Sequence, residues 1–226
     1  MRPVLVLRPE PGNAATCTAA RALGLEPVAA PLFVYAARAW HVPPRRAWDG
    51  LLIGSAAVFA HGGAGLHTLR SIPVHAVGAA TARAAQTAGF GVVRIGSGGL
   101  QPIVASLPPG RYLRLAGAAH VALDPPADVH IDDVIVYAAV PQPLAPAVVA
   151  RLAREPVLAL LHSAEAARQF YEHCVRHGLA RDRIMVACLA PRVAAAARSG
   201  WQAIGVAAFP GDDAMLSMTR QMCQTV

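Results

Sequence analysis

Short runs of Val, Ile, Leu and Ala recur along the chain, separated by alanine-rich stretches whose apolar positions return at helical spacing. Runs that are apolar throughout suit strands covered on both faces, and their alternation with helices is the signature of βα units around a mostly parallel sheet. The pattern predicts strands over 4–7, 27–34, 50–53, 74–77, 91–95, 112–115, 129–137, 157–161, 184–189 and 203–207. Helices are predicted between most of them, including 13–23, 79–88, 164–177 and 191–199, with Asn13, Ser163 and Pro191 placed to open them. The fold class is α/β.

The pattern also repeats. "DGLLIGSAAVFAH" followed by "PVHAVGAATARAAQTAGFGVVRIG" parallels "PVLALLHSAEAARQF" followed by "IMVACLAPRVAAAARSGWQAIGVAA". In each copy a strand ends at a serine (Ser55, Ser163) before a helix. A second strand then ends at a small residue (Gly78, Ala190), and a glycine (Gly89, Gly200) follows the next helix. Two similar halves are implied, and 226 residues suffice for two domains of ~100 each. Two segments look like crossings between them, 35–40 before Pro43-Pro44 and 136–140 before Pro141-Gln142-Pro143. They divide the chain into a discontinuous domain, 1–35 with 143–226, and an inserted domain, 40–136, with connector strands at 36–39 and 137–142. The crossings would act as a hinge.

Composition narrows the class. Hydrophobic content of 55% would fit a membrane protein, but Pro, Gly or Arg interrupts every apolar run well short of the ~18 residues a span needs. The N-terminus has no apolar core of signal-peptide length, so a cytoplasmic location is expected. Cys17, Cys174, Cys188 and Cys223 show no C-x-x-C spacing, which predicts reduced, buried thiols. The formal charge of +7 points to an anionic partner. All 20 basic residues are Arg and none is Lys, which removes Schiff-base chemistry and the phosphate-loop lysine. The arginines are scattered, with Arg45-Arg46 the one adjacent pair, unlike the clustered stripe of a nucleic-acid surface. His173 and His177 stand at i, i+4, but without the glutamate of HExxH or a third ligand they do not make a metal site. "HGGAGLH" and "GSGGLQ" match neither phosphate-binding pattern and are read as loops.

Seven segments, "VLVLRPEPGNAA", "ALGLEPVAAPLF", "DGLLIGSAAVF", "AVGAATARAAQTAG", "DDVIVYAAV", "LHSAEAARQF" and "GWQAIGVAAFPGDDAML", resemble the uroporphyrinogen-III synthase (HemD) family, in that family's order and over essentially the whole chain. The resemblance implies two HemD-like, flavodoxin-like parallel-sheet domains joined by a two-stranded connector, with substrate in the cleft between them. It implies ring closure of hydroxymethylbilane to uroporphyrinogen III, with loss of water and inversion of ring D. No cofactor and no metal are implied. The partners expected are the bilane and, transiently, the upstream deaminase, acting on a monomer without membrane or nucleic acid. The chain departs from the family pattern at Val193, where a hydroxyl residue is common, and in "LAGAAHVAL". There Gly117 is kept, but Ala116, His120 and Val121 replace an Arg-Gly followed shortly by Arg.

A polycarboxylate needs donors more than bases. Free N–H groups where a strand turns into a helix make Ser55, Gly78 and Ser163 candidate carboxylate sites, with Thr81 as a hydroxyl donor. An ordinary helix start is the competing reading of Gly78 and Thr81. The resemblance assigns Gly117 to the site, and Arg8, in the family's Arg-Pro position, to a carboxylate; a structural arginine fits Arg8 equally well. Arg192, at a helix start, is a further candidate. Tyr137 matches the tyrosine of the family's connector region, and a phenol of ordinary pKa ~10 can protonate the departing hydroxyl; an aromatic packed at a domain junction is the alternative. Two other functions remain open: a non-catalytic module that binds a tetrapyrrole or other polycarboxylate, and a nucleic-acid binder. The presence of both Tyr137 and Thr81 favours the enzyme.

Overall fold

The computed structural model describes residues 2–44 and 47–224; the Arg45-Arg46 pair lies outside the described residues. The chain opens with β1 (Pro3–Val6), α1 (Gly12–Ala22), β2 (Glu26–Ala29) and β3 (Phe33–Ala37). It continues through β4 (Gly50–Ile53), α2 (Ala57–His61), β5 (Val74–Val77), α3 (Gly78–Thr87), β6 (Val92–Gly96), α4 (Gln101–Val104), β7 (Gly110–Gly117) and β8 (Val129–Pro141). It closes with α5 (Pro146–Arg154), β9 (Val157–Leu161), α6 (Ala164–Arg176), β10 (Ile184–Cys188), α7 (Pro191–Ala197), β11 (Ala203–Val206) and α8 (Asp212–Gln224).

Two compact units result: Met1–Val34 with Pro141–Val226, and Tyr35–Val140. In the first, five parallel strands run in the order β11-β10-β9-β1-β2. Every residue of β1, β9 and β10 is buried, as a strand covered on both faces must be. Alternate side chains serve opposite faces. Leu5, Ala159 and Val186 join Phe170 and Trp201 on one side, while Val4, Leu158 and Met185 join Met215 and Leu216 on the other. The Trp201 ring lies parallel to Phe170 at 5.5 Å, and its indole N–H donates to Ala197 O.

The second unit carries six strands in the order β3-β8-β7-β4-β5-β6, parallel from β8 through β6. Leu51, Ile53, Leu113 and Leu115 pack on one face and Leu52 and Tyr112 on the other. β7 and β8 are parallel neighbours joined by residues 118–128, which form no helix, and their pairing slips at Ala116/Gly117. That loop borders the site described below.

One expected strand, 27–34, breaks in two. Ala30 N and Leu32 N donate to Val6 O and Leu7 O, but Pro31 between them has no N–H to donate, and the chain leaves for the other sheet at Phe33. Asn13 does not cap α1. It sits in the first turn, fully buried, and its amide donates to Val6 O at 2.7 Å and Arg8 O at 3.0 Å, tying the helix to the end of β1. Ser163 does cap α6, accepting from Ala166 N at 3.1 Å, and Pro191 occupies the first turn of α7.

Candidate functional site

In an open parallel sheet the carboxyl ends of the strands release their loops on one edge, and ligands bind there. The inserted unit follows this rule. The loops after β4 (Gly54, Ser55), β6 (Gly98, Gly99) and β7 (Ala119 to Leu123) surround a cavity of about 340 Å³, to which β5 contributes its last residue, Val77. Of the residues expected at a site, Ser55, Gly117 and Tyr137 line this cavity together. Gly78 directly follows Val77 and opens α3 at φ 78°, a conformation that costs glycine little. Thr81 is one turn further along and buried, 5% exposed, on the helix side that carries Ala82 and Ala85 into the core.

Tyr137 and Gly117 are register partners across the β7–β8 slip. A Cβ on Gly117 would come within 2.7 Å of Tyr137 ring carbons and 3.0 Å of its hydroxyl. The absent side chain is therefore what lets the ring lie against β7. On its other side the ring meets Tyr35 edge-on, with centroids 5.1 Å apart. Both aromatics are fixed by packing, which holds the phenol in one place.

The cavity also contains a cation. Arg114, in the middle of β7, is 5% exposed, and burial pulls its pKa below the ordinary guanidinium value, partly offset by Asp133. Its Nη2 donates to Val121 O at 2.9 Å, whereas Nη1 stands 3.8 Å from Asp133 Oδ2. Nε and Nη1 are buried without a hydrogen-bond partner among the described residues. His120 bridges the same neighbourhood, with Nδ1 2.9 Å from Gly117 O and Nε2 3.6 Å from Asp133 Oδ2. Arg114 carries no motif in the sequence, and "GSGGLQ" reads there only as a loop that matches no phosphate-binding pattern. The available signal was a charged residue inside an otherwise buried strand, "RYLRLAG". Arg114 lies on the same face of the strand as Ala116, one pleat earlier.

The remaining expected residues belong to the other unit. Arg8 is already engaged: Nη1 donates to both oxygens of Asp212, at 3.0 and 2.9 Å. Thr16 Oγ1 donates to the same carboxylate at 2.6 Å, and His162 Nε2 stands 3.3 Å from it at ion-pair distance, without hydrogen-bond alignment. Burial pushes the Asp212 pKa up, but the contacts with His162 and Thr16 and the charge of Arg8 outweigh this and hold it at about 2. Ser163 caps α6, and Arg192 is exposed in the first turn of α7. His173 and His177 stack at 6.3 Å, and among the described residues no group of three or more His, Cys, Asp or Glu could hold a metal. Burial drives the Cys174 and Cys188 thiols up to about 12, which leaves them unreactive. Among the described residues no helix is long and apolar enough to cross a membrane.

Two parallel-sheet units, the inserted one with a cavity lined by a buried cation and a tyrosine, define a two-domain α/β protein. The chain belongs to the uroporphyrinogen-III synthase HemD family, whose model matches residues 14–217, and so to the cyclising hydro-lyases of haem biosynthesis. Its fold is similar to that of the uroporphyrinogen-III synthetase of Helicobacter pylori 26695, with TM-score 0.64 and 15% identity over 98% of this chain and 100% of that one. A uroporphyrinogen III synthase of the extremely thermophilic bacterium Thermus thermophilus aligns over 100% of this chain and 99% of its own, with TM-score 0.45 and 18% identity. No curated protein matches the sequence.

Proposed function

We propose that the protein closes hydroxymethylbilane to uroporphyrinogen III with Tyr137 as the acid. The observation that carries this reading is the Tyr137 phenol on the wall of a cavity that also holds a buried cation. The hydroxymethyl C–O bond breaks as the phenol gives its proton to the leaving oxygen, water departs, and the resulting azafulvene cation is attacked by the already substituted α-carbon of ring D. The bond from that carbon to the ring C methylene then breaks, and the methylene so freed is attacked by the free α-carbon of ring D, which loses its proton and leaves the ring inverted. Tyr137 recovers its proton from that ring. Ring inversion requires the bilane ends to be held in reach, so much of the acceleration is positional.

At about 340 Å³ the cavity lies near the lower end of the ~300 to 1,000 Å³ range of ligand sites, room for one substituted pyrrole rather than four. Main-chain N–H groups around Ser55 and Gly78 receive carboxylate arms, whereas Thr81, buried with Ala82 and Ala85, is a weaker candidate. Ser163 and Arg192 are weaker candidates, since the first is spent as a cap and the second is exposed. Arg8 serves the Asp212 pair. We place the reaction in the cytoplasm, on a monomer that meets the upstream deaminase only transiently.

The test supplies hydroxymethylbilane freshly generated by a deaminase, with and without the protein, then oxidises the products and separates uroporphyrin isomers. Dominant isomer III that depends on the protein is expected. Isomer I at the spontaneous rate, from folded protein, would leave a polycarboxylate-binding module in its place.

A further inference from the structure

We infer that Arg114 is the carboxylate anchor of the inserted unit and that Asp133 is the through-space counter-charge with which a substrate arm competes; the inference rests on the function proposed above. A guanidinium offers five N–H donors in a rigid fork, and its natural partner is a planar anion held by two parallel bonds. In this structure the fork is buried, its side chain 6% exposed, yet only Nη2 has a hydrogen-bond acceptor, the Val121 carbonyl. Nε and Nη1 are left over and lie in a residue that lines the cavity, and Nη2 keeps a second N–H that stands parallel to one of them, the side-by-side pair that grips a carboxylate.

A buried cation with unmade hydrogen bonds is costly and is kept where a ligand completes it. Asp133 does not complete it. At 3.8 Å from Nη1 it is beyond hydrogen-bond range, its side chain is 44% exposed, and it is shared with His120. It neutralises the guanidinium through space while leaving the fork open. A carboxylate entering the cavity makes the two short bonds that Asp133 does not, and it inherits a donor already desolvated and fixed by the Val121 contact. The preorganised geometry lowers the ordering cost of binding. The ligand class is an acetate or propionate arm on a pyrrole, because the cavity accepts one ring and Tyr137 also lines it.

The experiment measures bilane turnover for wild type, Arg114→Gln, Arg114→Lys and Asp133→Asn. Loss of a charge-assisted bidentate pair should raise KM about tenfold to a hundredfold in Arg114→Gln with kcat nearly unchanged. Arg114→Lys, which keeps the charge but not the fork, should fall between. Asp133→Asn should lower KM several-fold, because the competing carboxylate is gone. An unchanged KM in Arg114→Gln, or a loss confined to kcat, overturns the assignment while leaving the proposed function intact. If Arg114→Gln fails to fold, Asp133→Asn decides, and an unchanged or raised KM overturns it. If wild type makes no isomer III, the function fails separately, and quenching of tryptophan fluorescence by uroporphyrin III, an unreactive eight-carboxylate probe, takes over. Binding by wild type that weakens at least about tenfold in Arg114→Gln sustains the anchor; equal binding, or none by wild type, overturns it.

Discussion

Tyr137 and Gly117 show how one missing side chain positions one reactive group. Removing the phenol oxygen in Tyr137→Phe keeps the ring and its packing on Tyr35, so the fold should survive. General acid catalysis is worth ~10² to 10⁴, but an electron-rich pyrrole and a curled substrate supply much of the rate, so a fall in kcat of about tenfold to a hundredfold is expected. Full activity in Tyr137→Phe would remove the acid role. Gly117→Ala asks a methyl to enter where Tyr137 ring carbons stand 2.7 Å away. Overpacking of this kind costs about 1 to 3 kcal/mol. Because the ring must move, kcat should fall in parallel with a lowered Tm, whereas a variant with wild-type kcat would show that the phenol position is not what matters. Both residues were legible in the sequence through the family resemblance. Their contact was not, since the slip between β7 and β8 that brings them face to face has no sequence mark.

At the scale of elements, the Arg8–Asp212–Thr16 cluster ties the start of α8 to α1 and to the segment after β1. Asp212 titrates at about 2 in the folded chain, below the ~3.9 of an unfolded one. A depressed carboxylate pKa adds stability that is fully present above ~4 and is lost as pH falls toward about 2. With the Asp212 side chain 34% exposed, solvent screening limits the gain to at most about 1 kcal/mol. Acid unfolding should therefore be shallower between pH ~4 and ~2 in Asp212→Asn than in wild type; identical slopes would mean the cluster is energetically idle. Asn13 makes a second tie. Its amide has two backbone acceptors in the core, so Asn13→Ala should cost about 1 to 3 kcal/mol in urea unfolding, well above the effect of losing an exposed cap. Strand and helix positions were readable because apolar period and turn residues are local. The break at Pro31 was misread because the run on either side is uniformly apolar, and only the donor count shows where the ladder stops.

At the scale of the molecule, a formal charge of +7 carried only by arginine should draw a polycarboxylate toward the protein. Surface contributions of this kind are screened within ~8 Å at physiological ionic strength, while a desolvated pair inside a cavity is not. Raising salt from about 50 to 500 mM should increase the bilane KM several-fold in wild type and leave kcat nearly constant. A KM indifferent to salt would assign binding to buried donors alone.

Alternation of apolar strands with alanine-rich helices, and its repetition, sufficed to read the α/β class and two similar halves, because backbone geometry at the scale of a few residues follows from side-chain period and turn chemistry. The ordered set of segments was enough for the family. Which arginine among 20 would be buried in the wall of the cavity that Tyr137 also lines was not readable. Arg114 becomes special only when β7 lies between β4 and β8, when the loop over 118–128 lends it one carbonyl, and when Asp133 stops short of it. Desolvation and unmade hydrogen bonds depend on what long-range contacts bring near a group and what they leave out, and no local stretch of chain carries that information.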